Sequence, residues 1–80
     1  MPNPYQPDTY KHFVYEQIAP IKPMRAAMVP LPEPLKRLYK HKPMTPHVLC
    51  SVIHVIASEI GREYMTREVI GKGVIACRVK

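Results

Sequence analysis

Tryptophan is absent from this chain, phenylalanine occurs once, and the two cysteines, Cys50 and Cys77, stand far apart with no C-x-x-C pair. So few large aromatic side chains leave a core short of anchors. The cysteine pattern excludes both a disulfide framework and a zinc ribbon; each thiol lies in an apolar run, where it behaves as a small buried hydrophobe. Reaction frames are missing as well. There is no G-x-S-x-G elbow and no phosphate-binding glycine loop, and the neighbouring carboxylates Glu59 and Glu63 are flanked by Arg62 and Arg67, which neutralise them. Cys50 and His54 stand one helical turn apart, yet a nucleophilic thiol needs an accessible electropositive pocket and an oxyanion site, and nothing in the sequence builds one. The expectation is a protein that is not an enzyme, with no cofactor and no small-molecule substrate.

The opening residues "MPNPYQPDTY" show neither the basic and apolar regions of a secretory signal nor the Arg- and Ser-rich pattern of an organellar transit peptide, so a cytosolic-side or organellar setting is expected. At 80 residues the chain makes at most one domain, and 46% of it is apolar. A chain this short buries only about 60% of its unfolded surface, so it needs dense packing or a partner to offset ordering entropy of roughly 1–2 kcal/mol per residue. Its formal charge is +6. Four of the cations, Lys36, Arg37, Lys40 and Lys42, fall in the run "KRLYKHK" and form a basic patch suited to anionic protein, headgroups or nucleic acid.

All ten prolines lie at or before Pro46, and all three glycines lie after residue 60. Proline lacks an N–H and biases its predecessor toward extended geometry, so residues 1–45 are predicted to be a Pro-rich extended docking arm with short helical turns. One such turn, capped by Asp8 or Thr9, carries Tyr10, Phe13, Val14 and Ile18 at helical spacing before Pro20; a second carries Leu35, Leu38 and Tyr39. The stretch 20–34 between them reads as polyproline-like chain. Residues 46–80 are predicted to be a helix plus an extended tail. Thr45 and Pro46 mark a helix start, the Glu63 and Arg67 pair carries the helical pattern past Gly61 to about residue 70, and Ile75, Cys77 and Val79 alternate with Ala76, Arg78 and Lys80 in the tail. The fold class expected is therefore mainly α with extended segments: an irregular arm, one long helix over about 46–70 and a short tail, with no independent globular fold.

At about 100° per residue, the apolar side chains of that helix cover roughly 200° of arc, twice the usual stripe of a surface helix. Val48, Leu49, Val52, Ile53, Ile56 and Ile60 are the candidate partner-docking face, and His47, Ser51, His54 and Ser58 form a neutral polar seam opposite. His47, Cys50 and His54 share one sector, but structural zinc takes four ligands in paired sets, and hydrogen-bonded histidines outweigh a metal site by about ten to one. No metal is expected.

These features point to a non-catalytic accessory subunit, a structural protein that stabilises its neighbours in a large multiprotein complex. The favoured setting is mitochondrial, at the inner membrane, in an assembly of respiratory-chain or ATP-synthase type. The expected partners are other protein subunits, with lipid contact, since the helix approaches membrane length and follows a basic cluster. The alternative is a small ribosomal or ribonucleoprotein subunit whose segment 36–42 contacts RNA, with Tyr5, Tyr10 and Tyr15 available to stack on bases. The third reading is a small metal-binding module.

Overall fold

A computed structural model describes residues 2–7, 9–31 and 44–80. Five elements follow in order: α1 (Tyr10–Ile18), β1 (Ala26–Pro30), α2 (Pro46–Ile60), β2 (Tyr64–Val69) and β3 (Gly73–Arg78). The strands form one antiparallel sheet in the order β1-β3-β2, and both helices pack on the same face of it. This is a compact α+β domain, which overturns the expectation of a mainly α chain with no globular fold of its own.

The helix starts follow the sequence. Thr9 has extended backbone and its hydroxyl accepts the His12 N–H at 3.1 Å; Thr45 does the same for Val48 at 3.2 Å, with Pro46 in the first turn. The end of α2 does not. Gly61 takes φ 71 and ψ 32, the Arg62 N–H reaches Ala57 O at 2.8 Å, and the helix closes there in a glycine cap ten residues before Gly71. The pattern carried by Glu63 and Arg67 belongs to a strand, where Met65, Arg67 and Val69 share one face and Tyr64, Thr66 and Glu68 the other.

The second correction concerns the Pro-rich arm. Arg25 to Leu31 runs beside the tail: Ala26 pairs with Cys77, Met28 with Ile75 and Pro30 with Gly73. Prolines are tolerated there because β1 is an edge strand. The Leu31 N–H donates to Lys72 O at 3.3 Å and the Arg78 N–H to Arg25 O at 2.9 Å, so odd-numbered residues of β1 bond β3 and Pro30 faces outward, where no donor is required.

The core closes between sheet and helices. Val14, Ile18, Val29, Leu49, Ile53, Ile56, Val74 and Ala76 are fully buried, with Tyr10, Tyr15, Ile21, Met44 and Tyr64 beside them, so elements from both halves of the chain share one core. The arm is held because α1 supplies the large side chains that α2 needs on its second flank. A polar latch secures the end of α1. The Tyr64 hydroxyl donates to Ile18 O at 2.9 Å, and Arg62 Nη1 donates both to Ala19 O at 3.0 Å and to the Tyr64 hydroxyl at 3.1 Å, which satisfies two terminal helix carbonyls.

Candidate interaction surface

Alternation along a strand sends neighbouring side chains to opposite faces of a sheet. With Val29, Val74, Ala76 and Tyr64 buried beneath the helices, the outer face is formed by Ala26, Met28 and Pro30 on β1, Gly73, Ile75 and Cys77 on β3, and Met65, Arg67 and Val69 on β2. Registered rows run Ala26–Cys77–Met65, Met28–Ile75–Arg67 and Pro30–Gly73–Val69. An antiparallel sheet with one solvated face is ordinarily polar on that face. Among the described residues Arg67 is the sole charged side chain of the face, while Met65 is 68% exposed, Met28 44% and Ile75 36%. Exposed cations stand at the strand ends: Arg25 before β1, Lys72 before β3 and Lys80 after it.

The tail therefore inverts the simple amphipathic expectation. Ile75 and Cys77, the more apolar set, face away from the helices, and Ala76 and Arg78 face toward them. Arg78 is accommodated by donating from Nη1 to Ile21 O at 3.2 Å. Ala76 is fully buried on the helix side of the central strand.

Another feature lies at the turn into β1. Met24 has φ 66 and is 79% exposed, at the third position of a turn closed by the Arg25 N–H on Lys22 O at 3.0 Å. A left-handed residue costs about 1–2 kcal/mol in any residue but glycine. The fold spends that strain on a methionine that covers none of its own core.

The sequence-derived residues fall as follows. Of the partner-docking face, Leu49, Ile53 and Ile56 are wholly enclosed in the chain's own core, and Val48, Val52 and Ile60 pack against it half-buried. The polar seam is exposed along α2 beside β2: His54 Nε2 and Thr66 Oγ1 share a hydrogen bond at 3.1 Å, His47 Nδ1 lies 3.7 Å from Glu68 Oε2, and Ser51 Oγ donates to His47 O at 3.3 Å. Ser58 is exposed further along the same helix. The basic patch Lys36, Arg37, Lys40 and Lys42 lies outside the described residues, as does the turn carrying Leu35, Leu38 and Tyr39. Among the described residues no three His, Cys, Asp or Glu side chains gather to hold a metal, so His47, Cys50 and His54 do not converge; both cysteines are free thiols.

Across α2 from that seam, the Tyr5 hydroxyl donates to Glu59 Oε1 at 2.6 Å and Lys11 Nζ donates to both Glu59 oxygens at 3.2 Å. Burial, then the bond to Glu59, pushes the Tyr5 phenol up to about 12; the bonds from Tyr5 and Lys11 hold the Glu59 carboxyl below its ordinary value. This cluster pins the first residues to α2, with the Tyr5 ring edge-on to Tyr15 at 5.9 Å. It is structural, since every polar atom in it is already engaged by another. Two shallow clefts, about 230 Å³ beside Tyr15, Glu16 and Arg62 and about 330 Å³ beside Gln17, Lys22 and Arg25, bring together no nucleophile with a base.

Comparison of the chain with protein-family models, curated proteins and solved structures finds no match. Among the described residues no helix is long and apolar enough to cross a membrane.

Proposed function

We propose that this chain is a non-catalytic interaction module, an accessory subunit that docks onto a larger protein through the sheet face opposite its helices. One observation carries the reading: a solvent-facing sheet surface built of Met28, Met65, Ile75, Cys77 and Val69, with a single charged side chain among the described residues. Exposed apolar surface of this kind on a folded domain marks an interaction site, and methionine, flexible and polarizable, suits a surface that moulds to a partner. Met24, at the turn into β1, is a further exposed methionine with a left-handed backbone.

The occupant that fits is an amphipathic helix of another protein with carboxylates along its margin. A three-stranded sheet is about 14 Å across, enough for one helix of about 10–12 Å diameter. The cations Arg25, Arg67, Lys72 and Lys80 would meet the carboxylates, and the apolar stripe would cover the methionines. The assembly role expected from sequence is kept, but the docking element moves from α2 to the sheet. Of the three features behind an inner-membrane setting, the apolar arc of α2 is taken up in part by the chain's own core through Leu49, Ile53 and Ile56, while the basic run 36–42 lies outside the described residues and the neutral seam is exposed. Of the tyrosines that the RNA reading offers for stacking, Tyr10 and Tyr15 are buried, Tyr5 is half-buried with its hydroxyl bound to Glu59, and Tyr39 lies outside the described residues.

Gel filtration of extracts from the source cells tests the proposal. The chain should elute within an assembly far larger than 9.2 kDa, resistant to added salt. Ile75→Lys should release it while leaving its melting curve unchanged. Elution of the unmodified chain alone, or retention of the variant in the assembly, would refute the docking face; release by salt would point to nucleic acid.

A further inference from the structure

We infer that two copies of this chain pair edge to edge through β2, antiparallel about Thr66, to form a continuous six-stranded sheet. The inference is independent of the docking face, because it rests on the edge of the sheet.

The two edges differ. On β1 the outward residues are Ala26, Met28 and Pro30, and Pro30 has no N–H to offer. On β2 the Val79 N–H donates to Glu63 O at 2.8 Å, so odd-numbered residues bond β3 and the N–H and C=O groups of Tyr64, Thr66 and Glu68 all point outward. No described residue takes these groups. An edge strand of six residues with its full set of donors and acceptors, and with no proline or bulge, is a template for another strand.

Charge selects both the occupant and the register. A two-fold pairing about Glu68 sets Glu68 against its own copy, and one about Arg67 sets Arg67 against its own; like charges directly opposite oppose pairing. Pairing about Tyr64 or Met65 shortens the overlap. Pairing about Thr66 sets Thr66 against Thr66, Tyr64 against Glu68 and Met65 against Arg67 of the second copy, with no like charges opposed and about six backbone hydrogen bonds formed. Threonine opposite threonine and an arginine stem over a methionine are both favourable cross-strand pairs.

The seam on α2 is explained by the same arrangement. α2 lies over β2, held there by the His54 to Thr66 bond, so His47, Ser51, His54 and Ser58 line the helix beside the open edge. That strip is exposed yet carries no Lys, Arg, Asp or Glu. In the pair it faces its own copy, where a charge of either sign would meet its like. A stable interface buries about 1,200 Å² or more in total, beyond what one strand edge provides, and the two neutral helix strips supply the remainder.

Thr66→Pro and Thr66→Val separate the backbone from the side chain, since proline removes one outward N–H that β3 does not use, whereas valine keeps it. Analytical ultracentrifugation of the purified chain should give about twice the monomer mass, the valine variant the same, and the proline variant the monomer mass with an unchanged circular dichroism spectrum. In the unmodified chain the amides of Tyr64, Thr66 and Glu68 should exchange on the order of tenfold more slowly at high concentration than at low. A monomer mass at every concentration, a dimer that survives Thr66→Pro, or exchange at those amides that ignores concentration would overturn the inference.

Discussion

Gly73→Ala probes the least expected element of the fold, the strand supplied by the Pro-rich arm. Gly73 pairs with Pro30 at φ 150, and a Cβ added to it collides with the carbonyl oxygen of Val29 and lies 3.0 Å from Pro30 Cα. Both obstacles are backbone, so no rotamer change relieves them. The φ value adds about 1–3 kcal/mol in a region essentially reserved for glycine. Moving β1 aside uncovers Val29, now fully buried, for about 1.5–2 kcal/mol more, and weakens hydrogen bonds worth about 1 kcal/mol each. A loss of about 3–5 kcal/mol follows, a large part of the roughly 4–12 kcal/mol expected of a domain this size. Gly61→Ala is the control: its φ is 71 but nothing lies within 4 Å of the added Cβ, so the cost should be about 1 kcal/mol. Urea denaturation followed by circular dichroism measures both. Gly73→Ala should also lower the m-value, because a native state with β1 detached has less surface left to expose. Equal losses in the two variants, with equal m-values, would refute the placement of β1 against β3.

Other outcomes follow from the same contacts. Met24→Gly relieves a left-handed methionine, and after the extra chain entropy of glycine the net gain is about 0.5–1 kcal/mol, a rise of roughly 2–8 °C in Tm; a fall would contradict the turn. The Tyr5 and Glu59 pair gives stability a pH window. Glu59 is held below its ordinary 4.5, so its contribution is complete above that value and fades as pH falls through the folded-state value. Tyr5 is raised from 10.0 to about 12, so its contribution is complete below 10 and fades as pH rises toward 12. Tm measured against pH should show both arms in the unmodified chain; Tyr5→Phe should remove the alkaline one and flatten the acid one. Unchanged profiles would mean that the cluster does not form.

Helix starts were legible because their signals are local: Thr9 and Thr45 cap by reaching a backbone N–H three residues ahead. The core stripe of α1 was legible for the same reason. What escaped was context. Glu63 and Arg67 satisfy a helical pair and an alternating strand equally well, and only the glycine cap at Gly61 decides between them. Ala26–Pro30 was hidden by prolines that an edge strand admits and a central one does not. The apolar arc of α2 was visible, but not that α1 and the sheet of the same chain cover most of it. The outward face of Met28, Met65 and Ile75 was the least accessible: alternation shows that a strand has two faces, and tertiary packing decides which of them the helices cover.

Hydrogen exchange on the isolated 80-residue chain tests the central claim most directly. If the arm is part of one cooperative domain, the amides of Ala27 and Val29, which face β3, should be protected to nearly the same degree as those of Ile53 and Ile56 in α2. Random-coil exchange at Ala27 and Val29 beside a protected α2 would contradict the account.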